Sequence, residues 1–199
     1  MKDWNGNKQS TYALLGASNH AILEREKNDY YATDPKALEL LCDLEKFDKN
    51  IWECACGGGH LSEVLLKKGY VVRSSDIINR NYDTEILDFL SEQNTKKWNG
   101  DILTNPPYKY VQEFIEKSIS LIPKGKRVIM FLGINFVEGK KRKEFLKKFP
   151  IKTIYVSSSR IDCAMGGDFE KNKRSSARCY AWFIWEKGYN GSTEIKWFN

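Results

Sequence analysis

The sequence predicts an open, doubly wound α/β sheet, mostly parallel, with an antiparallel C-terminal hairpin. Three observations carry that expectation. The run "IWECACGGGHLSEVLLKKGYVVRSSD" reads as strand, glycine turn, helix, strand, a βαβ unit that implies parallel pairing. Short apolar runs then keep alternating with amphipathic segments through the rest of the chain. Finally, the long polar stretch from Ser159 to Arg178 joins two strands without a helix, which predicts an antiparallel pair at one edge of the sheet.

The elements follow in order. Residues 1–28 are polar, with Gly6, Gly16 and scattered Asn, and read as an N-terminal arm. Residues 29–199 read as one domain. "DPKALELLCDL" predicts a helix: Asp34 can cap it, Pro35 suits its first turn, and Leu38, Leu41 and Leu44 recur at helical spacing. "IWECA" is a strand ended by Gly57, Gly58 and Gly59. "HLSEVLLKKG" is a helix closed by Gly69, and "YVVRSSD" is a strand ending at Asp76. "ILDFL" is short and ambiguous. "DILT" is a strand running into two prolines, "VQEFIEKSISLI" a helix, and "RVIMFLG" a buried strand. "KKRKEFLKKF" is a basic helix. "KTIYVSSS", "CYAWFIWEK" and "TEIKWF" are the remaining strands.

Composition bounds the function. At 199 residues and 41% hydrophobic content, the chain can bury a real core. No apolar run approaches the roughly 20 residues that span a bilayer. The segment "MKDWNGNKQS" has no hydrophobic signal core, so the cytoplasm is the expected compartment. Five cysteines without a CxxC fit reduced thiols rather than a disulfide framework. Cys54, Cys56 and His60 lie close together but are not read as a metal site, and no metal is expected. The net charge of +6 is concentrated in "KKRKEFLKK" and "KNKRSSAR", patches of the kind that phosphate backbones attract. A solvated helix face explains the same charges.

Two motifs carry chemistry. Ligands on a doubly wound sheet bind outside the carboxyl ends of its strands. "ECACGGG" puts Glu53 at a strand and three glycines in the turn after it, where the backbone can approach a ligand. It is neither the dinucleotide GxGxxG, since position 62 is Ser62, nor a P-loop. Asp76, about twenty residues on, is placed to accept from both hydroxyls of a ribose. Glycine turn and aspartate together point to a nucleoside ligand with no required phosphate, and S-adenosylmethionine is one. "NPPY" follows the strand "DILT". Asn105 offers a neutral carbonyl acceptor, Pro106 offers another and has no N–H to compete, Pro107 stiffens the loop, and Tyr108 offers a flat ring. Two fixed acceptors beside a stacking platform suit a planar amine. Such acceptors favour a pyramidal nitrogen with an available lone pair, so displacement at a sulphonium methyl needs no covalent nucleophile. No Pro-Cys pair, the nucleophile of methylation at carbon, occurs.

With these motifs the chain resembles the amino-directed, adenine-specific DNA methyltransferases that use S-adenosylmethionine, in particular their small phage and prophage forms. The resemblance runs from about Asp29 to the C-terminus and implies a Rossmann-like methyltransferase fold. It also implies roles. Glu53, Gly57 and Gly59 would line the methionine half of the cofactor, with Cys54 and Ala55 beside them. Tyr31 and Thr33, in "YYATDP", would contact its methionine end. Asp76 would bind the ribose, and Asp88 would accept from the cofactor's adenine, with Phe89 or Ile77 packed on the ring. Asn105, which would also reach the cofactor, and Pro106 would hold the target amine, with Pro107 in the same catalytic motif, and Tyr108 would stack on a flipped base. Lys109, Lys140, Lys141, Arg142, Arg160 and Arg174 would meet the nucleic acid.

NPPY is specific for a planar nitrogen and not for DNA. The same chemistry serves RNA and protein glutamine, and both stay open. A binding module without turnover is disfavoured by the intact NPPY. No insertion is long enough for a large target-recognition region. Loose sequence choice, a single-stranded substrate, or help from a protein partner or dimer would each follow from that.

Overall fold

The computed structural model describes residues 31–159, 161, 163–165 and 179–199. The expected N-terminal arm lies outside them. Strand β1 (Tyr31–Thr33) leads into helix α1 (Pro35–Leu44), where Asp34 caps as anticipated, its side chain accepting from the Lys36 N–H at 2.9 Å. The βαβ unit then forms from β2 (Asn50–Glu53), α2 (His60–Lys67) and β3 (Val71–Asp76). Of the ambiguous "ILDFL", Ile86 joins a two-residue strand β4 (Glu85–Ile86). Beyond it Asp88 closes a turn, accepting from the Leu90 N–H at 2.9 Å.

β5 (Asp101–Thr104) runs into the prolines and a 3-10 turn at Tyr108–Tyr110, followed by α3 (Val111–Leu121). β6 (Arg127–Gly133), a 3-10 turn at Ile134–Val137, α4 (Lys140–Lys148), β7 (Thr153–Ser157), β8 (Cys163–Met165), β9 (Tyr180–Glu186) and β10 (Glu194–Phe198) complete the described chain.

Among the described residues the main sheet has the order β10-β7-β9-β6-β5-β2-β3-β4, and a separate pair joins β1 to β8. All neighbours in the main sheet are parallel except β9, which is antiparallel to both β6 and β7. The expected antiparallel pair is therefore present, but not at the edge. β9 sits between β6 and β7, and β10 takes the edge, parallel to β7. Burial explains the arrangement. Tyr180 to Trp185 are buried without interruption, so this strand needs cover on both faces and both edges. β10 is mostly exposed, with Ile195 at 58% and Trp197 at 66%, and an edge position suits it.

Alternating side chains divide the core into two layers. Val128, Met130 and Leu132 face a layer with Ile115 of α3, whereas Ile129 and Phe131 face one with Leu38 and Leu41 of α1 and Leu65 of α2. The indole N–H groups of Trp182 and Trp185 donate to the carbonyls of Ala37 and Phe149 at 3.0 and 3.1 Å, so both rings are buried with their polar ends satisfied. At the amino ends of the strands, buried Asp101 accepts from the backbone N–H groups of Asp48 and Arg127 and from the Arg127 guanidinium. β2 lies between β3 and β5, so the chain reverses its winding direction there and a crevice opens at the carboxyl ends of β2 and β5. Among the described residues no helix is long and apolar enough to cross a membrane.

Candidate active site

The crevice holds a cavity of about 530 Å³, within the range of small-molecule sites. The two sequence motifs meet in it. Glu53, Cys54 and Ala55 line it from the end of β2, Asp76 and Ile77 from β3, Asp88 and Phe89 from the turn after β4, and Asn105 through Lys109 from the end of β5. Thr33 lines it from β1.

The glycine turn shapes the wall without lining the cavity. The Gly57 N–H donates to Asp76 Oδ2 at 2.8 Å, and the Ile78 N–H donates to Oδ1 at 3.0 Å, so one carboxylate ties the turn to the end of β3. A carboxylate has room for further donors, and Asp76 keeps accepting capacity toward the cavity. Gly59 has φ +80°, and a Cβ there would sit 2.4 Å from the Tyr82 ring. The Tyr82 ring packs directly against Gly59 on the side where a Cβ would project. Gly57 and Gly59 are buried behind the residues that line the wall.

Glu53 is 2% exposed and accepts a hydrogen bond from the Ser62 hydroxyl, which lies 2.7 Å from the Ser74 hydroxyl. Burial, offset in part by these bonds and reinforced by the nearby Asp76, pushes its carboxyl up to about 8. Burial likewise raises the Cys56 thiol to about 12 and lifts Cys54 well above the ordinary range, so neither is an activated nucleophile. Burial lowers His60, keeping the imidazole neutral. Among the described residues no group of three or more His, Cys, Asp or Glu is placed to hold a metal ion.

Phe89 lines the cavity but is 2% exposed, held edge-on by Trp52 and stacked on Phe114 at 5.0 Å between centroids. Ile77, at 58% exposure, presents accessible apolar surface at the cavity. Asn105 is half-buried at the end of β5, and its Nδ2 donates to Thr33 Oγ1 at 3.0 Å. Pro107 starts the 3-10 turn that carries Tyr108, with its carbonyl accepting from the Tyr110 N–H at 2.9 Å. Tyr110, exposed and under the Lys109 ammonium, and Arg80 also line the cavity. Neither was expected, because position in sequence alone gave no reason to bring them there.

Among the described residues, Lys109 alone of the expected nucleic-acid contacts lines the cavity. Lys140 and Lys141 are exposed at the start of α4. Arg142 is committed to the fold, donating to the Asn135 carbonyl at 3.2 Å and lying over the Phe136 ring. Arg160 and Arg174 lie outside the described residues. Tyr31 enters β1 opposite Met165.

The lining fits S-adenosylmethionine. Asp76 and Asp88 give the cavity an acidic side suited to a ligand carrying sulphonium and ammonium charge, and Glu53 lies beside them with its carboxyl pushed up to about 8. Ile77 and Leu87 offer apolar cover, and no phosphate loop is present.

No family model matches the chain, and no curated protein matches it in sequence. Solved structures do. A Listeria monocytogenes protein (lmo1582), assigned to the class I S-adenosylmethionine-dependent methyltransferases, is 17% identical with a TM-score of 0.56, over 96% of this chain and 71% of its own. PH1948 of Pyrococcus horikoshii, a candidate RNA methyltransferase, is 13% identical with a TM-score of 0.54, over 91% and 99%. The type IIG restriction endonuclease BpuSI is 14% identical with a TM-score of 0.56, over 89% of this chain and 28% of its own. The chain therefore has the Rossmann-like fold of these class I methyltransferases.

Proposed function

We propose that the protein transfers a methyl group to the exocyclic amino group of adenine in DNA, with the base flipped into the NPPY site. The observation that carries this reading is the placement of Asn105 and Pro106 on the wall of the acidic cavity, at the carboxyl end of β5. S-adenosylmethionine, when bound, supplies an electrophilic methyl on sulphur. Asn105 Oδ1 and the Pro106 carbonyl accept the two N–H groups of the amine and hold its lone pair toward that methyl. Asn105 and Pro106 would thereby present the nitrogen as the nucleophile toward the methyl that the bound cofactor would supply. One N–H proton then leaves to water, since neither carbonyl is basic enough to keep it. Tyr108 and the exposed ring of Tyr110 offer flat surface to an extruded base, whose unstacking costs a few kcal/mol. Lys109, Lys140 and Lys141 supply positive charge for the backbone.

RNA is the second reading, favoured by the likeness to PH1948, whereas the likeness to BpuSI favours DNA. The test is methyl transfer from labelled S-adenosylmethionine to genomic DNA lacking adenine methylation, with nucleoside analysis of the digest. Methyladenine is the expected product. Label in RNA and none in DNA would replace the substrate and keep the chemistry. Asn105→Ala is expected to bind the cofactor normally and to lose about a hundredfold or more in turnover, as sites do when an oriented polar group is removed. Full activity in that variant would overturn the mechanism.

A further inference from the structure

The bond between Thr33 and Asn105 joins residues 72 positions apart and ties β1 to the NPPY loop through side chains. Thr33 is 2% exposed. Its backbone is held on both sides: it pairs with Cys163 across the β1–β8 ribbon, and the next residue, Asp34, caps α1. The hydroxyl therefore presents a fixed point to Asn105.

An asparagine amide has a donor arm and an acceptor arm on opposite sides of one carbon. Nothing in the covalent structure of the loop decides which arm faces the cavity. Turned one way it offers an acceptor. Turned the other way it offers N–H groups that oppose those of an incoming amine. Nδ2 is bonded to Thr33, so Oδ1 is directed away from β1.

Resting on the amine-methylation reading above, we propose that Thr33 is a positioning residue: its hydroxyl oxygen holds the donor arm of Asn105 and so sets the acceptor arm toward the target amine. This role differs from the cofactor contact that the resemblance implies for Thr33. It also gives the segment before α1 a function in the chemistry, since β1 delivers the hydroxyl that takes the donor arm of the amide.

The test uses Thr33→Val, which keeps the shape and removes the hydroxyl, Thr33→Ser, which restores it, and Thr33→Ala as a second hydroxyl-free variant should valine disturb folding. Three quantities are measured: cofactor affinity by direct binding, kcat and KM on DNA, and the side-chain amide NMR signals of Asn105, assigned by their loss in Asn105→Ala. In Thr33→Val, kcat is expected to fall about ten- to a hundredfold, the range for stranding one buried donor, with cofactor affinity nearly unchanged. The Asn105 amide signals should shift and exchange faster, and serine should restore both rate and signals. A large loss of cofactor affinity at unchanged kcat would make Thr33 a cofactor contact and overturn the proposal. So would unchanged Asn105 signals in both hydroxyl-free variants. If the wild-type protein methylates no amine, the proposed function falls separately, and the Asn105 signals alone decide whether Thr33 orients the amide.

Discussion

Glu53 shows how a single residue can couple the site to pH. Its carboxyl titrates near 8 in the folded chain and near 4.5 when exposed. The folded state thus holds a proton that the unfolded state has released. The associated stability is complete below about pH 4.5 and is lost as pH rises through about 8. Glu53→Gln keeps a partner for Ser62 without an ionisable group. The variant is expected to gain stability over the wild type steadily from about pH 5 to 8, by an order of a few kcal/mol, and to level off above that. Thermal unfolding across that range checks it, and a pH-independent difference would refute the assignment. Gly59 gives a second prediction. Alanine there meets both a left-handed backbone and the Tyr82 ring, so Gly59→Ala is expected to cost about 1–3 kcal/mol in denaturant unfolding. Combining it with Tyr82→Ala should recover only the steric part, because the backbone penalty remains.

At the scale of elements, α4 is a test of the nucleic-acid reading. It has no buried residue and follows β6 at the carboxyl edge of the sheet, with Lys140 and Lys141 exposed and Arg142 engaged by the preceding turn. Replacing Lys140 and Lys141 by alanine is expected to weaken DNA binding and to reduce the salt dependence by about one unit of slope per lost phosphate contact. Cofactor binding should not change. An unaltered salt slope in a binding titration would remove α4 from the interface. The helix contributes little to the core, so its variants should unfold close to the wild-type midpoint.

The whole molecule makes a different kind of prediction. The cavity is closed by the ends of four strands that come from separate parts of the chain: β1, β2, β3 and β5. A ligand bound there is linked to global folding. S-adenosylmethionine at a hundredfold above its Kd is expected to stabilise the chain by about 2.7 kcal/mol. A calorimetric scan with and without the cofactor measures this, and no shift at saturating concentration would sink the cofactor assignment. Much of this plan was legible in advance. The βαβ unit, NPPY at the end of "DILT", and Asp76 at a strand terminus depend on local patterns of period and punctuation. The position of β9 was harder to read, since its continuous apolar run is equally compatible with an edge hairpin until the exposed β10 is known to occupy that edge.

The sequence by itself determined the α/β class, the alternation of strands and helices, the two motifs, and the lack of a phosphate-binding loop in the glycine turn, because each depends on residues close together in the chain. Only the tertiary structure decided that Asp76 clamps Gly57, that Tyr82 packs against Gly59, that Arg80 and Tyr110 enter the cavity, and that Thr33 takes the donor arm of Asn105. These are contacts between elements whose relative placement is set by packing two layers of side chains onto one sheet, and no periodicity along a single segment encodes them.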